Sequence, residues 1–356
     1  MTAFGRREGF QVLIQDLGWD AYFEALWLDG ATDNCVPARV VSQQRGLWRV
    51  VGDFAECWAE PSGKLRKEAV SGGHWPVVGD WIASEMRAGE THALIQRVLP
   101  RRSRFARKAA GKEIIEQVMA ANIDLALIVA ALDGDFHLRR IERYLAQCWE
   151  SGARPAIVLN KADASAESQD RIAEMERIAV GAPVFLVSAR TGEGLFALEA
   201  CFSKGQTIVL LGSSGVGKST LVNRFLQEER QATRSVRESD SRGRHTTTSR
   251  QLFVLPSGAM IIDTPGLREL QLWNAADGLL QTFADIAELA RRCRFRDCCH
   301  ENEPGCAVQA ALASGILEES RLGNWRKLER EHEFLLRKTD SEIRRAEKKR
   351  VKVIMR

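Results

Sequence analysis

Residues 207–220 read TIVLLGSSGVGKST, an apolar run that leads directly into the pattern GxxxxGKS. In this pattern the glycines let backbone N–H groups converge on phosphate oxygens. Lys218 is expected to reach the β- and γ-phosphates and to act in catalysis, and the Ser219 hydroxyl to hold Mg²⁺. The predicted phosphate-binding loop consists of Gly212, Ser213, Ser214, Gly215, Val216, Gly217, Lys218, Ser219 and Thr220.

Apolar runs alternate with helical patterns on both sides of this loop. DLALIVAAL, PAIVLN, PVFLVS and TIVLLG have the composition of buried parallel strands, and two further strands are expected near LFVL and AMIID. HLRRIERYLAQCW, SQDRIAEMERIA and GLFALEACF have the pattern of the intervening helices. The alternation predicts a doubly wound α/β domain.

Two short motifs indicate which base the site prefers. NKAD ends one predicted strand, and its Asp163 carboxylate can accept hydrogen bonds from guanine N1–H and N2–H₂, which adenine lacks. Asn160 can contact the N7 edge of the base, and the Lys161 stem can cover a base face. SAR closes the next strand, where the Ala189 N–H is placed for guanine O6. The predicted guanine site is formed by Asn160, Lys161, Ala162, Asp163, Ser188 and Ala189.

The stretch AMIIDTPG supplies the remaining phosphate and magnesium contacts. Asp263 ends an apolar strand and suits an outer-shell Mg²⁺ ligand, and the Gly266 N–H could bind the γ-phosphate. The polar segment SDSRGRHTTTSR lies between the phosphate loop and DTPG and suits a switch loop. One of its adjacent threonines should complete the Mg²⁺ shell, and the candidates are Thr246, Thr247 and Thr248, with Thr247 as the choice.

The order of the motifs is unusual. Ordinary GTPases have the phosphate loop first and the NKxD and SAx motifs last, whereas NKAD and SAR here precede GSSGVGKS. The same sheet can form from a permuted chain because neither terminus of such a domain need be buried. The sequence therefore predicts a circularly permuted GTPase domain in which DTPG leads directly into the C-terminal segment.

The flanking regions differ in character. Short β-rich runs between residues 35 and 99 predict a small antiparallel barrel or sandwich. Residues 1–34 form an N-terminal appendage with a helix-like stretch whose aromatic residues serve packing. After Leu267 the chain becomes helical and charged. The predicted limits are 1–34, 35–105 for the barrel, 106–270 for the GTPase domain and 271–356 for a helical domain with a basic tail.

Charge and apolar content limit the partners. The 356 residues carry a net charge of +4, but residues 97–112 hold seven basic residues and no acidic one, and residues 321–356 hold thirteen basic and six acidic residues. Two basic segments on a nearly balanced chain predict a polyanionic partner. No apolar run approaches the roughly 20 residues that a membrane helix needs, so we expect a cytoplasmic protein without a membrane partner. The candidate phosphate contacts are Arg101, Arg102, Arg104, Arg107, Lys108, Arg344, Arg345, Lys348, Lys349 and Arg350.

Four of the eight cysteines fall within residues 293–306, CRFRDCCHENEPGC. Three thiolates and one imidazole form a closed tetrahedral site for a zinc ion, with no open position for catalysis. Cys299 competes with Cys298 as a ligand, although adjacent side chains usually point apart. One structural zinc per chain is predicted, held by Cys293, Cys298, His300 and Cys306.

The permuted motif order, GRHTTT, DTPG and the cysteine cluster closely resemble the ribosome small subunit-dependent GTPase A (RsgA) family. RKAAGKEIIEQVMAANID and LRRIERYL add to the resemblance, which covers roughly residues 35–340. It implies an OB-fold barrel, a permuted GTPase domain and a zinc domain in which Cys298 is the ligand. It also implies GTP hydrolysis stimulated by the small ribosomal subunit during late maturation of that particle.

The residue that positions the attacking water cannot be assigned by analogy with ordinary GTPases. Ras-like enzymes orient the attacking water with a glutamine after DxxG, and here Leu267 occupies that position. His245 lies in the switch loop beside the threonines, and the GRHTTT resemblance supports it as the water-positioning residue. An ordinary solvent-exposed loop histidine is the alternative. Basal turnover should therefore be slow until a partner orders the loop.

Several functions compete with this interpretation. The first is a GTP-gated RNA-binding scaffold whose hydrolysis is incidental, an alternative that Leu267 leaves open. The second is a permuted GTPase that acts on the large subunit or tRNA, and the third is a P-loop ATPase, which NKAD and SAR oppose. We expect a monomer that recognises folded rRNA by shape and charge, with GTP, GDP and assembly factors as further partners.

Overall fold

A computed structural model describes the chain over residues 13–30, 34–44, 46–54, 56–70, 75–86, 92–108, 116–133, 136–164, 168–228, 250–263 and 276–354. Its strands are β1 (Cys35–Gln44), β2 (Leu47–Gly52), β3 (Cys57–Pro61), β4 (Trp81–Met86), β5 (His92–Val98), β6 (Arg104–Lys108), β7 (Glu116–Ala121), β8 (Leu125–Ala131), β9 (Arg154–Asn160), β10 (Val184–Leu186), β11 (Thr207–Leu211), β12 (Arg250–Val254) and β13 (Met260–Asp263). Its α-helices are α1 (Ala21–Asp29), α2 (Gly63–Val70), α3 (Leu138–Ser151), α4 (Ser168–Ile178), α5 (Leu195–Glu199), α6 (Lys218–Leu226), α7 (Ala276–Thr282), α8 (Ala284–Ala290), α9 (Ala307–Ala313) and α10 (Glu319–Ile354).

The first five strands close into a barrel. Strand β1 pairs antiparallel with both β2 and β4, and β3 pairs parallel with β5, giving the order β1-β2-β3-β5-β4-β1. Apolar side chains that alternate along these strands fill the interior, among them Val40, Trp48, Val50, Ile82 and Ile95. The prediction of a small OB-like barrel is therefore confirmed.

The α/β part is a sheet in the order β10-β9-β8-β11-β13-β12. Strands β8 and β11 are buried over their full length, as expected for parallel strands covered on both faces. The motif-bearing strands thus form one sheet although NKAD and SAR come before the phosphate loop in the chain. At its far edge β12 pairs with β1, with Ser42 opposite Gln251, so barrel and sheet are continuous.

The N-terminal segment packs into the main core. Asp20 caps α1 by accepting hydrogen bonds from the N–H groups of Tyr22 and Phe23, at 3.1 and 3.4 Å. The ring centroid of Trp19 lies 4.8 Å from that of the fully buried Trp81 in the barrel, in an edge contact. The packing role predicted for these aromatics holds for Trp19 and Phe23, which are buried.

The C-terminal helices dock on α3. Helix α7 approaches so closely that a Cβ at Gly278 would lie 2.2 Å from the Ala146 carbonyl oxygen, which requires glycine there. Ala146 joins Leu279, Phe283, Ile286 and other residues of α7–α10 in one apolar cluster. Within the described helices we find no segment both long and apolar enough to span a bilayer.

One part of the predicted polyanion surface is wrong. Arg101 is buried and bonds both oxygens of Asp80 at 2.7 Å, so its guanidinium serves the fold rather than a phosphate. The next arginines also have partners within the chain: Arg102 bonds Asp20 at 2.6 Å and Arg104 bonds Glu116 at 3.1 Å. Burial of one charge requires the opposite charge beside it, and Asp80 supplies that.

Candidate functional site

The phosphate-binding loop runs from the end of β11 to the start of α6. Gly212 and Gly217 have positive φ angles of 139° and 97°. A Cβ on Gly212 would lie 2.3 Å from the Val129 carbonyl oxygen, and one on Gly217 would lie 2.2 Å from Asn160 Nδ2. Both glycines are therefore required by close packing as well as by backbone conformation.

Lys218 is the first residue of α6, and its ammonium folds back over the loop. Nζ donates to the carbonyl oxygen of Gly212 at 2.8 Å and to that of Ser213. Ser219 and Thr220 follow in the first turn of the helix, whose N-terminal N–H groups favour an anion. The predicted loop residues are thus brought together at the carboxyl end of a buried strand.

Asn160 joins the two ends of the site. It ends β9 and is 2% exposed. Its Nδ2 donates to the Val216 carbonyl of the phosphate loop at 2.8 Å, and its Oδ1 accepts from the Ala189 N–H at 2.9 Å. The side chain therefore fixes NKAD, SAR and the phosphate loop relative to one another.

Asp163, the carboxylate predicted to recognise guanine, lies in the short turn that follows β9. Its Oδ1 accepts from Ser188 Oγ at 2.5 Å and its Oδ2 from Arg190 at 2.6 Å. The Ser188 hydroxyl and then the Arg190 guanidinium lower the pKa of Asp163, which keeps the carboxylate ionised as an acceptor. Lys161, with a φ of 66°, pairs with Asp133 at 2.6 Å.

Two further arginines contact the site, and sequence reasoning missed their roles. Arg224, on α6, donates from Nε to the Ala189 carbonyl oxygen at 2.9 Å and so supports the SAR turn from the phosphate-loop helix. Arg140, on α3, donates to Ser213 Oγ. LRRIERYL contains three arginines, and only the helix orientation shows which of them faces the loop.

The rest of the predicted catalytic site is only partly described. Asp263 ends β13, directly beside β11, and so lies at the same edge of the sheet as the phosphate loop. His245, Thr246, Thr247, Thr248, Gly266 and Leu267 lie outside the described residues, so their predicted roles stay predictions.

The cysteine cluster forms a compact set of donor atoms. The sulfur atoms of Cys293, Cys298 and Cys306 and a ring nitrogen of His300 all lie within 4.8 Å of one another. Cys293 Sγ is 3.9 Å from Cys306 Sγ and 3.5 Å from His300 Nδ1. Tetrahedral zinc with ordinary bond lengths puts two sulfurs about 3.8 Å apart, and sulfur and nitrogen about 3.6 Å apart. The cluster could hold a metal ion, and these two separations match those expected around tetrahedral zinc.

Neighbouring groups hold the loop that carries these four donor residues in shape. His300 has a φ of 60°, and its carbonyl oxygen accepts from Gln309 Nε2 at 2.5 Å and from Arg326 at 2.6 Å. The Glu303 carboxylate accepts from the N–H groups of Cys299 and Glu301 at 2.7 and 2.9 Å. Burial lowers the pKa of His300, which favours the neutral imidazole that a metal ligand must be. The Cys299 side chain is exposed and lies outside the cluster.

The chain is similar to known proteins along nearly its whole length. The RsgA GTPase family model matches residues 98–273. The small ribosomal subunit biogenesis GTPase RsgA of Opitutus terrae is 44% identical over 354 residues, which cover 96% of this chain and 95% of that protein. The protein of the same name from Streptomyces coelicolor is 44% identical, with 95% and 92% covered.

Solved structures agree in fold. The crystal structure of YjeQ from Thermotoga maritima has a TM-score of 0.63 and 25% identity, and covers 85% of this chain and 99% of its own. That of YloQ, a circularly permuted GTPase, has a TM-score of 0.60 and 21% identity, covers 87% of this chain and 97% of its own, and supports the fold alone.

Proposed function

This chain belongs to the RsgA family of GTPases, and on that basis we propose that it hydrolyses GTP to GDP and phosphate during late maturation of the small ribosomal subunit. The observation that carries this proposal is the pair of hydrogen bonds made by Asn160, to Val216 at 2.8 Å and from Ala189 at 2.9 Å. They hold a guanine-reading turn at a fixed distance from a phosphate loop, which is the arrangement that a guanine nucleotide requires.

Guanine selection is assigned to Asp163. Its ionised carboxylate would accept from guanine N1–H and N2–H₂, and adenine would leave the carboxylate without those donors. Ser188 orients the carboxylate through its hydrogen bond to Oδ1. The Ala189 N–H is already bonded to Asn160 Oδ1, so its contact to guanine O6 has to be shared with that bond.

Phosphate binding and magnesium complete the proposed site. Lys218 and the loop N–H groups would bind the β- and γ-phosphates, and Gly266 would add a γ-phosphate contact. Ser219 and Thr247 would bind Mg²⁺ directly, with Asp263 in the outer shell. When bound, Mg²⁺ neutralises charge that develops on the phosphate oxygens.

Hydrolysis needs a positioned water, and His245 is proposed to position it because Leu267 cannot form the hydrogen bond that a glutamine would. Lys218 would stabilise the negative charge on the β- and γ-phosphate oxygens as GDP leaves. Both roles depend on placement rather than on covalent catalysis. Slow basal hydrolysis is expected if His245 takes up its role only when the partner is bound.

The metal cluster is proposed to hold one structural zinc ion through Cys293, Cys298, His300 and Cys306. Three thiolates and an imidazole leave no open coordination position, so the ion would serve folding of the C-terminal helices. The domain limits predicted from the sequence, a cytoplasmic location and a monomeric state also belong to this proposal.

The partner is proposed to be the small subunit, contacted through rRNA. Because the Arg101 guanidinium is paired with Asp80, the contact is proposed to lie elsewhere on the surface. Arg291, Arg294 and Arg296 are exposed around the metal loop, and the Arg294 guanidinium lies 5.4 Å from the centroid of the exposed Phe295 ring. Exposed arginines beside an aromatic ring suit RNA phosphates and unpaired bases.

Co-sedimentation tests this partner. The full chain is loaded with a non-hydrolysable GTP analogue or with GDP and centrifuged with small subunits, large subunits or neither. We expect binding to small subunits with the analogue, less with GDP, and a steep loss as salt rises. Equal binding to both subunits, or none to the small one, would contradict the proposal.

A further inference from the structure

Arg140 links α3 to the phosphate loop. It is the third residue of α3, and its guanidinium donates to the hydroxyl of Ser213, the second residue of the loop. The two residues are 73 positions apart in the chain, so the contact exists only because α3 and β11 are brought together in the fold.

Ser213 is held from two directions. Its carbonyl oxygen accepts from Lys218 Nζ, and its hydroxyl accepts from Arg140. When a phosphate binds, the Lys218 ammonium is expected to turn toward the phosphate oxygens, because that is its role in such loops. The bond from Arg140 then remains as the side-chain tether of this end of the loop.

The neighbours of Arg140 on α3 are fixed to α10. Arg139 bonds the Ser320 hydroxyl at 2.7 Å, and Arg143 bonds Glu331 at 2.5 Å. The Glu142 carboxylate, fully buried, accepts from Arg321 at 2.7 Å and from Asn324 at 2.6 Å. The side chains of Glu142 and Arg143 therefore contact α10, whereas that of Arg140 contacts the phosphate loop.

We propose that Arg140 is a positioning residue for the nucleotide phosphates, acting through Ser213, and that α3 thereby connects the phosphate loop to the C-terminal helices. The inference rests on the proposed function, because it assumes that the loop binds GTP. It deepens that function by naming the contact through which movement of α10 would reach the nucleotide.

The test measures binding of a fluorescent GDP and steady-state hydrolysis of GTP in the full chain. Arg140→Ala and Ser213→Ala are each expected to weaken GDP binding about tenfold, the size of one charge-assisted hydrogen bond. The double variant should be no weaker than the worse single variant, because both substitutions remove the same bond. KM should rise with kcat nearly unchanged, and Arg140→Lys should restore part of the affinity.

Arg143→Ala is the matched control, because it removes an arginine of the same helix that faces α10. Its GDP affinity should stay within about twofold of the parent chain. The inference is overturned if Arg140→Ala and Ser213→Ala leave GDP affinity unchanged, or if their effects multiply in the double variant. A parent chain that binds no guanine nucleotide would overturn the proposed function as well, so the two failures are distinguishable.

Discussion

The guanidinium of Arg39, on the first barrel strand, donates a 2.8 Å hydrogen bond to the hydroxyl of Thr207, the first residue of the strand that leads into the phosphate loop. The same guanidinium bonds the carbonyl oxygens of Leu17 and Asn122. Arg39 is 1% exposed, and burial lowers its pKa to about 10. One buried side chain thus ties the N-terminal segment, the barrel and the nucleotide-binding sheet together.

Arg39→Met should therefore destabilise the whole chain. The substitution keeps much of the volume but leaves Thr207 and two carbonyl groups without their donor, and we expect a loss of about 2–4 kcal/mol. Urea unfolding measures it. Arg66→Met, which removes an exposed pair with Glu60, is the control and should change stability by less than about 1 kcal/mol. Equal effects of the two substitutions would show that the buried bonds contribute nothing.

Asp163→Asn should change which base the site accepts. The amide cannot accept from both guanine N1–H and N2–H₂, so GTP affinity should fall about 100-fold or more, and xanthosine triphosphate, with a carbonyl in place of the amino group, should compete better. Competition against a fluorescent GDP gives the ratio of the affinities for GTP and xanthosine triphosphate. Asp170→Asn, an exposed change on α4, is the control. If the Asp163→Asn variant keeps the parent chain's preference for GTP over xanthosine triphosphate, Asp163 does not recognise the base.

Glu150 makes stability depend on pH. Burial, with repulsion from Asp277 and Glu116 partly offset by attraction to Arg104, raises its pKa from 4.5 to about 7. An acid with a raised pKa binds more protons in the folded chain than in the unfolded one, so its destabilising effect is absent below about pH 4.5, grows between pH 4.5 and 7, and is constant at higher pH.

Glu150→Gln should accordingly melt above the parent chain at pH 8 and close to it at pH 4.5. Thermal unfolding across this range is the measurement. Glu193→Gln, at an exposed turn, should follow the parent at every pH. A Glu150→Gln melting curve parallel to the parent at all pH values would contradict the assignment.

Metal removal should affect the C-terminal helices selectively. Cys306→Ser removes one donor of the cluster and should abolish stoichiometric zinc binding and loosen the α7–α10 packing, because structural zinc contributes directly to folding. Cys299→Ser, a neighbouring exposed thiol outside the cluster, should keep one zinc per chain. Elemental analysis of both variants decides, and zinc loss in the Cys299 variant would mean that the ligand set is different.

The sequence predicted the features that depend on local pattern. GSSGVGKS, NKAD and SAR each lie at the end of a predicted strand. The carboxyl ends of parallel strands meet at one edge of a sheet, so the three motifs come together there even in a permuted chain. The side-chain partners could not be predicted in this way. Arg101 is one of seven basic residues in the stretch 97–112, and only the folded barrel places Asp80 beside it. Arg140 and Arg224 lie on α3 and α6, and the packing of these helices determines which of their side chains face the site. Contacts between residues far apart in the chain depend on tertiary packing, which the periodicity of the sequence does not predict.

The central claim is a GTPase whose activity depends on the small ribosomal subunit. The most direct measurement is GTP turnover of the full chain alone and with purified small subunits, large subunits or naked rRNA. The account predicts slow turnover alone and stimulation of at least about tenfold by small subunits only. Equal turnover in all four mixtures, with tight GTP binding retained, would contradict it and favour a GTP-gated RNA-binding scaffold.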